Sequence, residues 1–341
     1  TNKMEAEFSV SDGLSVERQS CFVNEAAGVV SFATEKIGGG DLEFIFDNRV
    51  HVLDCTPQAS IALTSGTDTD PVLNYVYITH SGDVAMLATS TTQPTSGEIS
   101  MLATVLLRSA AETGSEGPFL LQRWSDAVKH DGRGKAARTS ERVRMEGPKL
   151  ASGCNLTATQ NGANSVLVST AAGVVYQHHP QTWSAKPNST AMYLINAPVP
   201  YTKITDLSGI TQTSLGASIN VGRDFGIWVG GSISSGEDGT DRIFIWLPSD
   251  TYNTPNQANK DVNGYESLII PIEQQRTVFP LARILLTKTA SGVTLVETQD
   301  RRLPDLAGSV GGGGSAATEA ASVTITDTGG YYTSTEVEGA L

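Results

Sequence analysis

The chain has 341 residues, 34 of them glycine, with only 17% charged residues and a formal net charge of −13 at pH 7. That length exceeds what one ordinary core fills, so two domains are expected, and the acidic balance excludes a protein that neutralises nucleic-acid phosphates across its surface. No apolar run approaches the roughly 20 residues of a membrane span, and the N-terminal TNKMEAEFSV lacks the charged-then-apolar pattern of a signal peptide.

Ser, Thr, Asn and Val recur in short runs broken by turn residues, which is an all-β composition. Over residues 1–122 the pattern predicts strands at Phe8 to Val10, Val29 to Ala33, Leu42 to Phe46, Val50 to Leu53, Ala59 to Leu63, Tyr75 to Thr79, Val84 to Ala88 and Ile99 to Leu107. Gly38-Gly39-Gly40-Asp41 and the stretch from Ser65 to Pro71 punctuate them. Close strand spacing of this kind reads as a β-sandwich-like domain.

The character changes over 123–149. Lys135, Ala136, Ala137, Arg138, Glu141, Arg142, Val143 and Met145 favour helix, and Gly147-Pro148 stops it. A basic helical connector is therefore expected. Strands return over 150–305, at Cys154 to Thr159, Ser165 to Ser169, Gly173 to Gln177, Met192 to Ala197, Phe225 to Val229, Arg242 to Leu247, Leu268 to Ile272, Ala282 to Thr287 and Val293 to Glu297, a second sandwich-like domain. Tyr75 to Ile78 followed by Leu102 to Leu107 has a parallel in Ile243 to Trp246 followed by Leu281 to Leu286, with four of six residues identical in the later block. That parallel suggests an internal duplication.

Residues 306–322, with Gly311 to Gly314, read as a flexible linker. Residues 323–341 form a small final unit: a strand at Val323 to Ile325, a Gly329-Gly330 turn, then Thr333 and Glu336 opening a helix as a capping box. A helix under two turns long is unstable alone, so Val337, Ala340 and Leu341 are assigned as an association surface for other chains. The sequence can also continue past Leu341.

These residues carry a family likeness. Thr326 to Tyr332 followed by Thr335 to Leu341 resembles a short motif of tail fibre and other appendage proteins of double-stranded DNA phages. Ala172 to His179, Pro200 to Leu207, Leu247-Pro248-Ser249 with Tyr252, and Asp300-Arg301-Arg302 resemble a block of phage tail-fibre-like structural proteins, and Ser140 to Gly147 leading to Ser152-Gly153 resembles their connector. The resemblance spans roughly residues 120 to 341. It implies a β-rich homotrimer of the virion, assembled in the host cytoplasm, with other tail or baseplate proteins and host surface glycan as partners. It carries over no catalytic residue. A capsid head fibre or decoration protein is the alternative placement, and a host-glycan-binding or depolymerising tailspike module is the alternative of another class.

Eight of the 23 basic residues fall between Arg123 and Lys149, and Lys135, Arg138 and Arg142 share one helical stripe. Two readings stay open: docking toward an acidic neighbour, or a solvated face tidied by weak local ion pairs. His178 and His179, adjacent on a strand, point to opposite faces and are read as packing or subunit contacts, not a metal site. The acidic loops Asp68-Thr69-Asp70 and Glu237 to Asp241 lack the spacing of a calcium loop and are read as solvated turns. Of Trp183, Trp228 and Trp246, which could stack on sugars, two are assigned to the core. Cys21, Cys55 and Cys154 lack paired spacing and are read as reduced thiols. There is no Gly-x-Ser-x-Gly elbow, no His-Glu-x-x-His and no phosphate loop, so no enzymatic activity, cofactor or metal is expected.

Overall fold

The computed structural model describes residues 17–46, 49–94, 97–123, 142–143, 145–177, 180–233, 241–260 and 270–302. The chain is all-β, as its composition predicts. Strands β1 (Gln19–Ala26), β2 (Val29–Lys36) and β5 (Ala59–Ala62) make a three-stranded sheet in the order β1-β2-β5. A six-stranded sheet uses β3 (Leu42–Phe46), β4 (Arg49–Leu53), β6 (Val72–Ser81), β7 (Val84–Ser90), β8 (Ser100–Leu107) and β9 (Leu120–Arg123), in the order β3-β4-β7-β6-β8-β9. Alternation decides which face turns inward: Leu42, Phe44 and Phe46 of β3 and Val76 and Ile78 of β6 are buried at every second position. They pack with Cys21, Val30 and Phe32 of the small sheet in one apolar core. The β1–β2 hairpin closes through Ala27-Gly28 with φ of 51° and 82°, the positive pair that a two-residue turn of primed type requires.

The second half repeats this layering. Strands β10 (Lys149–Gly153), β13 (Gly173–Tyr176) and β14 (Pro180–Trp183) form one small sheet, and β11 (Leu156–Asn161) and β12 (Ser165–Thr170) another. The large sheet holds β15 (Met192–Leu194), β16 (Thr202–Ile204), β17 (Asp224–Ser232), β18 (Arg242–Trp246), β19 (Val278–Lys288) and β20 (Val293–Asp300), in the order β16-β15-β18-β17-β19-β20. Its inner face packs Phe225, Ile227, Ile243, Ile245 and Ile284 against Val166, Val168, Val175 and Trp183.

The two large sheets share more than strand number. Each has one parallel pair, β4 with β7 and β15 with β18, and is otherwise antiparallel. Each also carries a bulge at a matching place, and the second sheet has a further one between β19 and β20. Val76 faces Ala103 while Tyr77 faces Met101, and Val229 faces Ala282 while Gly230 faces Pro280. Leu102 and Leu281 are thereby the extra residues, and both are buried in their cores. A bulge is a specific feature of a ladder, so its recurrence within the Leu102 to Leu107 and Leu281 to Leu286 match supports duplication of the sheet. The earlier block needs correction: the counterpart of Tyr75 to Ile78 is Trp228 to Gly231 in β17, whereas Ile243 to Trp246 lies in β18, the place of β7. Short apolar runs in neighbouring strands look alike, and only the ladder separates them. The outer hairpins also differ, since the edge strand β3 precedes β4 but the edge strand β16 follows β15.

Helix is scarce. The helix α1 (Ala110–Glu116) follows β8, and α2 (Pro255–Lys260) lies against β17 and β19. Residues 142–143 and 145–146 are helical, in line with the expected end of the connector. Lys135, Arg138, His178, His179 and the linker, together with Val337, Ala340 and Leu341, lie outside the described residues.

Candidate functional site

The outer faces of the two large sheets meet. Leu106 of β8, Phe119, and Leu120 of β9 pack with Tyr193 and Ile195, Tyr201, Phe244 and Trp246, and Val278 in a third apolar cluster. Phe119 lies edge-on to Tyr193 at 5.0 Å and stacks on Tyr201 at 4.9 Å between ring centroids. At the border of this seam lies a cluster of charges that the sequence pattern did not single out.

Arg108 follows directly on β8, a strand buried throughout, and its side chain is only 2% exposed. A cation there needs partners on several sides. Its Nη1 donates to Glu116 Oε2 at 2.8 Å and to the Tyr193 hydroxyl at 3.1 Å. Nη2 lies 3.4 Å from Glu112 Oε2, and Nε lies 3.6 Å from Asp68 Oδ1, an ion pair too long to be a hydrogen bond. The guanidinium carbon also sits 4.6 Å from the Phe119 ring centroid.

The helix α1 aims two of those carboxylates. Ser109 caps it, with Oγ accepting from the Glu112 N–H, and the same hydroxyl donates to Asp68 Oδ1 at 2.7 Å. Arg108, Glu112 and Glu116 are spaced by four, so the helix presents both glutamates to one side. From the second half, the Tyr193 hydroxyl donates to Glu116 Oε2 at 2.8 Å, and Lys203 pairs with Glu116 Oε1. Arg242 donates to the carbonyls of Glu116 and Pro118, occupying the acceptors at the helix end.

Two cations, Arg108 and Lys203, thus meet three carboxylates, Asp68, Glu112 and Glu116, while Arg242 binds backbone carbonyls beside them. Burial pulls the Glu116 carboxyl upward, but hydrogen bonds from Lys203, Tyr193 and Arg108 outweigh it and hold it down at about 2. Lys203 is raised in turn, first by its hydrogen bond to Glu116. The arrangement fastens the two halves by charge around an apolar seam. A buried bond from Gln122 Nε2 to Gln177 Oε1 at 3.0 Å adds a polar link, as Gln177 continues to the Arg276 carbonyl.

The comparisons with known proteins were negative. No protein-family model, curated protein or solved structure matches the chain significantly.

Arg142 is exposed and pairs with Glu146 at 3.2 Å, while Lys149 reaches the same carboxylate at 3.4 Å. Asp68 is no idle turn residue, since it orients Ser109 and Arg108. Trp183 and Trp246 are buried, and Trp228 is partly buried against the seam. Cys21, Cys55 and Cys154 are free, buried thiols. Among the described residues, no group of three or more His, Cys, Asp or Glu side chains could hold a metal ion, and no helix is long and apolar enough to cross a membrane.

One sequence signal could have pointed at the clamp: Ser109 with Glu112 three residues on has capping-box spacing behind an apolar strand, although the Ser109 N–H is bonded by Asp68 Oδ1. Lys203 and Tyr201 fall within the Pro200 to Leu207 block of the family likeness. Tyr193 and Arg242 carried no such signal. The Asp300-Arg301-Arg302 block also has a structural place, because Arg302 pairs with Asp300 and donates to the Gly153 carbonyl at 2.6 Å. It ties the end of the described chain to the turn where Gly153 and Cys154 both take positive φ.

Proposed function

We propose that the chain is a non-enzymatic structural protein of a phage virion, a trimeric tail fibre or fibre-to-baseplate adaptor that supports host attachment. The ordered series of appendage-like motifs from Ser140 to Leu341 carries this reading. The clamp supports it: two sheet layers fastened by buried charge and an apolar seam make a stiff spacer. Stiffness suits a part that transmits position. The first half anchors to the tail body, the connector orients the second half, a glycine-rich hinge presents the C-terminal association motif, and Val337, Ala340 and Leu341 bury against their copies in a homotrimer.

Gold-labelled antibody against the chain, imaged on intact particles, tests the placement. Decoration of the tail or its fibres is expected, and label confined to the capsid overturns the tail assignment. Purified protein incubated with host polysaccharide should leave chain length unchanged; reproducible shortening would defeat the non-enzymatic reading.

A further inference from the structure

The first large sheet uses only part of its outer face. Cross-strand pairs lie on the same side of an antiparallel ladder, so Leu120, Leu106 and Leu73 form one row across β9, β8 and β6, and this row packs against the seam. The same face continues through Tyr75 and Tyr77 onto β7 and β4. There Val50, Val52, Val84 and Met86 stand 49%, 40%, 58% and 41% exposed. Val52 and Val84 are register partners, and Val50 and Met86 lie two residues from them, so all four point outward while His51, Leu53 and Ala85 point to the core.

The duplicated sheet shows how this face is used. In the second half the matching parallel pair, β15 with β18, presents Tyr193, Phe244 and Trp246 outward, and the first half's Leu106, Phe119 and Leu120 cover them. On β4 and β7 the same face is open. Glu43, the register partner of Val52, lies on the same face and Asp83 lies in the turn before β7, while the four central side chains are uncharged. An apolar centre with a polar rim is the anatomy of a protein interface, and because the matching face of the second half is covered by a copy of the same sheet unit, a copy of this chain is the matching cover here.

We propose that the β4–β7 face is a subunit interface, covered by a second copy of this chain. This rests on the homotrimer reading and adds to it a contact surface in the first half, continuous with the seam already buried within the chain.

The test is the solution mass of the full chain, by light scattering on a sizing column at micromolar concentration, for the native protein, for Val84→Glu with Met86→Lys, and for Val52→Lys alone. Val296→Glu, an exposed apolar site on β20, is the control. The native protein and the control are expected at a multiple of 35.9 kDa, and both patch variants at or near the single-chain mass with unchanged β circular dichroism. A native monomer overturns the homotrimer reading and this inference together. A native oligomer that survives both patch variants, or that the control also disrupts, overturns this inference alone.

Discussion

Arg108 brings a charge to the end of a strand buried on both faces, and it is tolerable there only because three carboxylates, a phenol and an aromatic ring converge on it. Removing it leaves Glu116 beneath the Tyr193 hydroxyl with half its compensation gone. Arg108→Ala is expected to destabilise by about 3 kcal/mol in urea unfolding. Tyr193→Phe, which removes one donor and one acceptor, is expected to cost about 1–2 kcal/mol. An Arg108→Ala loss under 1 kcal/mol would show that the cluster is not a structural clamp. Close approach matters as much as charge at Gly231, where an added Cβ would sit 2.6 Å from the Phe279 ring and 2.9 Å from Trp183. Both rings are buried, so neither swings aside freely. Gly231→Ala is expected to lower stability by about 1–3 kcal/mol, measured as a reduced urea midpoint.

The helix α1 is a short element held by its ends. Seven residues do not sustain a helix alone, so the Ser109 cap, the Asp68 bond and the Arg242 contacts at its end set its position. Ser109→Ala is expected to cost about 1 kcal/mol and to raise amide exchange in α1 before exchange in β8. The pH dependence follows from the same helix. Glu116 has a folded value near 2 against 4.5 unfolded, a depressed acid, so its stabilisation is complete above about 4.5 and is lost as pH falls toward 2. The carboxylate is nearly one-third exposed, so solvent screening leaves on the order of 2 kcal/mol. Urea midpoints from pH 6 to pH 2 should fall less steeply for Glu116→Gln than for the native chain; equal slopes would remove Glu116 as a source of acid sensitivity.

Strand positions were legible where one face is buried and the pattern alternates, as in Leu42 to Phe46. They were not legible where burial is weak or the segment is short: β1, β10, β14 and β16 carry polar residues or only three or four positions and take their identity from partners. Residues 110–116 carry no apolar periodicity, so the sequence pattern did not show α1.

At the scale of the whole molecule the duplicated sheet and the seam belong together. One copy of the unit covers the other through Leu106, Phe119 and Leu120, and the clamp fastens that contact at its edge. Replacing the proposed association residues by Val337→Asp with Leu341→Asp should shift the solution mass toward the single chain if they hold a homotrimer, and an unchanged mass would move the burden of assembly elsewhere. By itself the sequence determined the all-β class and the unpaired thiols, because composition, alternation and cysteine spacing can be read locally. Only the tertiary structure decided which strands are counterparts, that Asp68 serves Arg108, and that Arg108, Tyr193, Lys203 and Arg242 form one cluster. Those residues lie as far as 174 positions apart in the chain, from Asp68 to Arg242, and the desolvation that makes their pairing matter exists only once the two outer faces have closed.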